Sequence, residues 1–433
     1  MAGKYRKNST ICLPICEEEY NEIIDLLVPF RKFLDGNYEK FPELFPVNFS
    51  DGYQLKDQRI SLKTGVKIRR IMLRDESSYS IRPSFLMPYM TGRTKDVEKP
   101  LFLRKFGTPC WALSYVFGRN RMYWYRKAVS LGRNSIVGTT VRKVKVPENL
   151  LADEHHQTRD GQKNYIAVTV GEGCCLGADV SETAGTEDLT EGYRKFKEES
   201  QNIEPDYAPK TVNTDGWKST QAAWRILFPL VVVLQCFLHS WLKVRDRAKH
   251  LKDKFNDISQ KVWNVYHSPD SRTFSQRIRR LKEWTNKSLK GIVLEKVLDL
   301  CNKRELWKAA YKHPRAHRTS NMLDRVMHSM NRYFFDGQHL HGAKEASELH
   351  CRGWALLYNF TPWNPETSKV NEGWNSPAER LNKYRYHDNW LENALISASL
   401  GGYRDNVVEL RYRECILIHN VLNIKKFCGK ICN

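Results

Sequence analysis

The sequence predicts a multidomain chain of α/β plus α class, built around a mixed five-stranded sheet with flanking helices. Three observations lead there. Between 146 and 241, β-branched runs and amphipathic stretches follow one another as three strands, helix, strand, helix, strand. Upstream lies a basic, helix-patterned stretch without acids, which predicts an N-terminal helical region. Downstream, 242–312 is basic and helical in pattern with no strand signal, and reads as a helical insertion.

The chain has 433 residues, which suits about two to four domains. Hydrophobic residues make up 41%, with 12 Trp, 20 Tyr and 18 Phe, so a sizeable core is expected and wholesale disorder is not. A net charge of +21, from 70 Lys and Arg against 49 Asp and Glu, favours a polyanionic partner, most simply nucleic acid. The 11 cysteines are odd in number, scattered and mostly in apolar contexts, which suits a reducing intracellular compartment. The opening MAGKYRKNSTICLPICEEEY has no long apolar core and does not read as a signal peptide. The longest apolar run, 227–242, contains Pro229, Gln235 and His239 and is too short and polar to span a bilayer. A soluble protein without membrane association is expected.

Region 1–95 is mixed. Tyr20, Ile23, Ile24, Leu27 and Phe30 fall at helical spacing, which predicts a helix over 17–34 that Pro29 kinks or ends early. A shorter alternating run covers 65–73. Region 96–145 is a helix-turn-helix-like DNA-binding candidate. Its 101–145 stretch holds ten Lys and Arg and no Asp or Glu. Trp111, Leu113, Val116 and Phe117 mark one helix, Gly118 a turn, and 122–129 a second helix. Arg104, Lys105, Arg119, Arg121, Arg126, Lys127 and Arg133 are the candidate phosphate contacts, making binding salt-dependent.

In 146–241 the strands are expected at 149–153, 165–170, 174–180, 209–214 and 230–235, with helices at 186–200 and 218–228. This is the ribonuclease-H order. In such a sheet the first and fourth strands lie side by side, each can deliver an acid, and a late helix brings a third. Carboxylates so placed hold two Mg²⁺ ions roughly 3.5–4 Å apart for phosphodiester chemistry. Asp153 ends the first strand and Asp215 the fourth. Asp324 is on a late helix, one turn after Asn321. Asp179, at the end of the third strand, is a rival first acid, and Asp215-Gly216 also suits an Asx turn or helix cap. Catalytic domain 146–360 is followed by a C-terminal tail, 361–433, with a helix at 388–399. The last stretch, CILIHNVLNIKKFCGKICN, carries no clear cap or pattern.

Cys236 and His239 could be half of a zinc site, but no second pair with zinc-site spacing lies nearby. Packing for Cys236, and orientation of a carboxylate or DNA phosphate by His239, fit better. His339 and His341 are equally well explained by a turn at Gly342. Trp217, Trp224, Trp241 and Trp354 read as core, with stacking on a base as the functional alternative.

The Asp153…Asp215 pair, Cys236-x-x-His239 after the fifth strand, the helical insertion and the Asn321-x-x-Asp324 step together resemble the DDE/D transposases, which have a ribonuclease-H-like catalytic core. The nearest are the Mutator-like transposases and their bacterial insertion-sequence relatives with a C-x-x-H pair. The match covers about 145–360, and NTDGW followed by CFLHSWLK is its more specific part. It departs at Asp324, where the group usually has Glu, so Glu345 and Glu348 stand as fallback third acids. The resemblance implies cleavage and strand transfer at terminal inverted repeats. It also implies Asp153, Asp215 and Asp324 holding two Mg²⁺ or Mn²⁺ ions, supported by Cys236, His239 and Asn321. A homodimer or higher oligomer, and a cytoplasmic, nucleoid-associated setting in a prokaryote, follow from the same likeness. A structure-selective nuclease of the same fold, or a non-catalytic DNA-binding protein derived from a transposase, are the alternatives.

Overall fold

In the computed structural model, which describes residues 9–337 and 340–403, eighteen α-helices and two mixed sheets, of four and five strands, make up the described chain. It divides into two units: one takes the chain through Val146, then Phe196–Tyr207 and from Glu345 onward, the other Pro147–Lys195 and Ala208–Lys344.

The first unit opens with β1 (Thr10–Leu13), α1 (Glu17–Ile23) and α2 (Leu27–Lys40), then β2 (Tyr53–Ile60), β3 (Lys67–Leu73) and β4 (Ser78–Pro83). The sheet runs β1-β4-β3-β2, with β1 parallel to β4 and the other pairs antiparallel. The single helix expected over 17–34 is two helices broken at Ile24–Leu26. Pro29 does not end the second one. It lies in the first turn of α2, where a missing N–H costs nothing.

α3 (Thr94–Lys105), α4 (Cys110–Phe117), α5 (Arg121–Leu131) and α6 (Ile136–Thr140) follow. Three residues join α4 to α5, and both Gly118 (φ 70°) and Arg119 (φ 64°) take the left-handed conformation. Asn120 caps α5 by accepting from the Met122 amide at 2.8 Å. Leu113 and Trp124 are buried, and the Trp124 indole donates to the Gly118 carbonyl at 3.0 Å.

The second unit begins with β5 (Asn149–Arg159), β6 (Gln162–Gly171) and β7 (Cys174–Ser181). Then come α7 (Thr186–Ile203), β8 (Thr211–Thr214), α8 (Lys218–Leu227) and β9 (Val232–Gln235). The sheet order is β7-β6-β5-β8-β9; β6 is antiparallel to both neighbours, and β8 is parallel to β5 and β9. The β-branched and apolar residues of β6 and of the edge strand β7 are buried throughout most of both strands, so both faces of this side of the sheet are covered. Then α9 (Phe237–Ala248), α10 (Asp253–Tyr266), α11 (Ser271–Ser288), α12 (Gly291–Asn302) and α13 (Arg304–Lys308) form a helical cluster with its own core. Phe237, Trp241, Val262, Phe274, Ile278, Val297 and Trp307 are buried there. The 3.6-residue spacing of these apolar positions leaves the basic residues on the outer faces. α14 (Asn321–Phe335) returns the chain to the sheet, against β5.

The chain then re-enters the first unit with α15 (Lys344–Phe360), α16 (Pro365–Val370), α17 (Pro377–Asn382) and α18 (Trp390–Ser397). The final CILIHNVLNIKKFCGKICN lies outside the described residues. Within this unit Glu199 and Arg352 form a buried ion pair. Glu199 also accepts from the Val137 amide at 3.1 Å, and Arg352 donates to the carbonyls of Gly132 (3.1 Å) and Asn134 (3.0 Å). Removing one partner leaves the other charge buried and uncompensated. Arg352→Met is therefore expected to destabilise the protein by about 3–5 kcal/mol in urea unfolding, whereas the surface pair Arg279–Glu283 tolerates Arg279→Met with a change under about 1 kcal/mol.

Candidate active site

The sheet of the second unit sets the geometry. Parallel β5 and β8 pair with Leu150 opposite Val212 and Leu151 opposite Asn213. The same register two residues on puts Asp153 beside Asp215, on strands about 4.8 Å apart. β8 ends at Thr214 because Asp215-Gly216 turns the chain: the Asp215 carboxylate accepts from the Trp217 amide at 2.7 Å, and Gly216 has φ 101°. The positive φ favours glycine there, and a Cβ at Gly216 would lie 2.4 Å from the Gln235 side-chain nitrogen, so any other residue must also displace that side chain. Asp215 is thus both a turn-former and an acid at a strand end.

β5 does not stop at Asp153, as its sequence suggested. It runs on to Arg159 along the ten-residue β6, with Asp153 opposite Val168. What ends before Asp153 is the pairing with β8, and that leaves its side chain half-buried beside the Asp215 turn. Burial, then the neighbouring charges of Asp215 and Glu154, push the Asp153 carboxyl up to about 7. The Glu154 amide, donating at 2.8 Å, and His239 pull against that shift.

Side chains alternate along β5, so Glu154 points to the opposite face. It is buried, accepting from the Tyr193 hydroxyl at 2.7 Å and from the Thr220 hydroxyl at 2.8 Å, and burial holds its carboxyl above the ordinary range. Glu154 therefore ties β5 to α7 and α8. On the Asp153 face, His155 Nε2 meets Asn331 Oδ1 of α14 at 2.7 Å. The helix carrying Asn321 and Asp324 thus covers the face on which Asp153 lies.

Cys236 follows β9 directly, and its amide donates to the Thr214 carbonyl at 2.7 Å, one residue from Asp215. Its thiol is buried, receives the Ser320 amide at 3.3 Å and lies 3.4 Å from the Ser320 hydroxyl. That hydroxyl donates to Asp324 at 3.1 Å. A hydrogen-bond path therefore runs from Thr214, at the end of β8, through Cys236 and Ser320 to Asp324. Ser320 escaped the sequence reading, although its place just before α14 marked it as a cap candidate. His239 sits one turn into α9. Its imidazole is pushed up to about 9, first by the Cys236 thiol, with Asp153 and Asp215 adding to the effect. Burial raises the Cys236 thiol, but hydrogen bonding with His239 and Ser320 outweighs it and leaves the thiol below its ordinary value. His239 Nδ1 is buried without a hydrogen-bond partner among the described residues.

Asp153, Asp215 and His239 are thus one electrostatic group. Asp324 is exposed and turned to Ser320, and Asn321 is exposed at the start of α14. Among the described residues, no three His, Cys, Asp or Glu side chains converge closely enough to hold a metal ion. The arrangement is an acid pair with a third acid nearby, not the closed triad the sequence suggested. Glu345 and Glu348, on α15, belong to the first unit. Asp179 lies on outer strand β7, opposite Ala167, two strands from Asp215's neighbour β5. Trp224, Trp241 and Trp354 are core; Trp217 is half-buried at the Asp215 turn, its ring 5.8 Å from Tyr165 and 6.3 Å from His156. His341 lies 3.7 Å from Asp160 beside the left-handed Gly342, while His339 lies outside the described residues.

The seven basic candidates divide. Arg119, Arg121, Arg126 and Arg133 are exposed, whereas Arg104, Lys105 and Lys127 are buried. Arg104 donates to the Thr108 carbonyl at 3.3 Å, Lys105 lies 4.3 Å from the Phe106 ring centroid, and Lys127 donates to the Thr91 carbonyl at 2.6 Å. All three are turned into the fold, because their helix positions face inward. No described helix is long and apolar enough to cross a membrane, and no disulfide joins the described cysteines. Compared with protein-family models and with curated proteins, the chain matches none.

The raised Asp153 carboxyl has a direct consequence for stability. Its folded value, about 7, lies above the ordinary 3.8, so the folded state holds an extra proton and stability falls as pH rises between those values. Asp153→Asn removes the charge that Asp215 opposes. It should raise the melting temperature by roughly 2–4 °C at pH 8, and by much less at pH 5, where Asp153 is already largely protonated. A lower melting temperature for the variant at pH 8 would contradict the like-charge pairing.

Proposed function

We propose that this protein is a DNA transposase of the DDE/D type, with a ribonuclease-H-like core that cleaves element ends and joins them to target DNA. The observation that carries the reading is the placement of Asp153 and Asp215 where the parallel β5–β8 pairing ends, close enough for the charge of Asp215 to push the Asp153 carboxyl up. Strand order β7-β6-β5-β8-β9, with only β6 antiparallel to β5, supports the ribonuclease-H-like assignment. The exposed Arg119, Arg121, Arg126 and Arg133 around α4 and α5 support helix-turn-helix-like DNA binding to terminal inverted repeats.

The donor chemistry suits a divalent cation. Two carboxylates lie within each other's field, one driven up to about 7 by burial and by the other's charge, and a cation relieves both costs. Asp153 and Asp215 would hold Mg²⁺ or Mn²⁺, with Asp324 as the third acid, drawn to the same sheet edge by Ser320 and Cys236. When bound, two such ions supply charge neutralisation and Lewis acidity at a phosphodiester. His239, held cationic by Cys236, Asp153 and Asp215, adds positive charge beside the carboxylate pair and is suited to orient a carboxylate or favour a nearby phosphate. Water's oxygen bonds to phosphorus as the P–O3′ bond breaks, and the 3′ oxygen leaves with a proton. The freed 3′-OH then attacks a target phosphodiester in the same way. Two ends must be held together, which requires a homodimer or larger assembly. The proposed setting is cytoplasmic, on the nucleoid of a prokaryote.

A second reading, a non-catalytic DNA-binding protein derived from a transposase, is favoured by the exposure of Asp324 and the lack of a closed triad. Nicking of supercoiled DNA separates the two. Wild type should nick with Mg²⁺, and Asp153→Asn or Asp215→Asn should lose at least about 100-fold. Loss in Asp324→Ala with activity kept in Glu345→Ala and Glu348→Ala fixes the third acid. No nicking by wild type supports the non-catalytic reading, and nicking without a joined product supports a structure-selective nuclease.

A further inference from the structure

The first unit contains a cavity of about 890 Å³ between the loop before α3 and the α5 surface. Lys63, Arg126, Lys127 and Arg133 line it with Tyr89 and Tyr123, and no carboxylate does among the described residues. Its volume is that of a small-ligand site. Lys127 is 3% exposed, yet its ammonium nitrogen has only a neutral partner, the Thr91 carbonyl at 2.6 Å, beside the Tyr123 ring at 4.4 Å from the centroid. Burying a lysine against a carbonyl and a ring leaves its charge uncompensated. The charged groups acting on it are Lys63 and Arg119, both cations, and with burial first they bring the amine down to about 7. Arg126 and Arg133 are exposed at the mouth.

The loop is shaped for this cavity. Tyr89 (φ 58°) and Met90 (φ 49°) are consecutive left-handed residues without being glycine, a strain that collects at ligand sites. The Tyr89 ring is 57% exposed, with the Arg133 guanidinium 5.3 Å from its centroid. Gly92 lets the loop close on α5, since a Cβ there would lie 2.6 Å from the Tyr123 hydroxyl. Three cations and a buried amine, with no carboxylate among the lining residues, call for a phosphate, and an exposed ring beside an arginine calls for a planar group.

We propose that this cavity binds one nucleotide, its phosphate against Lys127, Arg126 and Arg133 and its base stacked on Tyr89. The nucleotide is either free or part of a DNA strand; the strand form rests on the DNA-binding reading above.

The test uses the full-length protein and a fluorescein-labelled, 5′-phosphorylated single-stranded oligodeoxynucleotide, read by anisotropy. Tyr89→Ala should weaken binding about ten-fold and Tyr89→Phe less than two-fold. The double variant Arg126→Ala/Arg133→Ala should weaken it at least ten-fold and flatten the salt dependence by about one unit of log–log slope. An oligonucleotide abasic throughout should bind about ten-fold more weakly to wild type and be indifferent to Tyr89→Ala. Competition by dAMP, but not by inorganic phosphate, identifies a free nucleotide as the natural source; competition by oligonucleotides alone identifies a strand. Equal competition by inorganic phosphate and dAMP, or unchanged binding in Tyr89→Ala, overturns the nucleotide assignment. DNA that is bound and nicked with the pocket variants indifferent defeats the pocket alone, whereas dAMP binding without DNA binding defeats the DNA reading alone. Unchanged melting curves confirm that the variants, all at exposed positions, are folded.

Discussion

The parallel register of β5 and β8 is the constraint on which the candidate active site depends. It sets Asp153 beside Asp215, a placement that costs free energy because like charges and partial burial both disfavour ionisation. The fold holds it by anchoring β5 on both faces. Glu154 is fixed by Tyr193 and Thr220 on one side, and His155 by Asn331 on the other. With β5 so clamped, neither carboxylate can relax away by a shift of the strand, since a one-residue slip would send every side chain to the wrong face. A site that keeps two acids together at such a cost is a natural place to look for function.

Much of this sheet was legible in the sequence, because β-branched runs such as YIAVTV and the amphipathic 186–200 stretch announce their own local structure. Asp215 was legible through its own local signal: an acid before glycine after a short β-branched stretch suits a turn, whether at a strand end or at a helix cap. Asp153 was half-legible. The end of the β5–β8 pairing was visible as a change from apolar to polar residues, but continuation along β6 depends on a partner strand that the local pattern does not describe.

What stayed hidden was decided by partners distant in sequence. Glu154 looks like a surface residue until Tyr193 and Thr220 close over it, and Ser320 looks like no more than a helix cap until Cys236 lies against it. The four-stranded sheet of the first unit was missed because β1 pairs with β4, far along the chain. Counting charges over 101–145 found a basic region but could not tell which side chains face inward. Arg126 and Lys127 are adjacent, yet one is exposed and the other buried, since neighbouring helical positions point about 100° apart.

The central claim is that Asp153 and Asp215 together form a divalent-cation site, and titration of Mn²⁺ into the full-length protein, followed by the loss of the free-ion electron paramagnetic resonance signal, tests it most directly. Saturable binding at micromolar to millimolar Mn²⁺ in wild type, weakened at least ten-fold in both Asp153→Asn and Asp215→Asn and competed by Mg²⁺, is the result predicted. Identical Mn²⁺ uptake by wild type and both variants would contradict it.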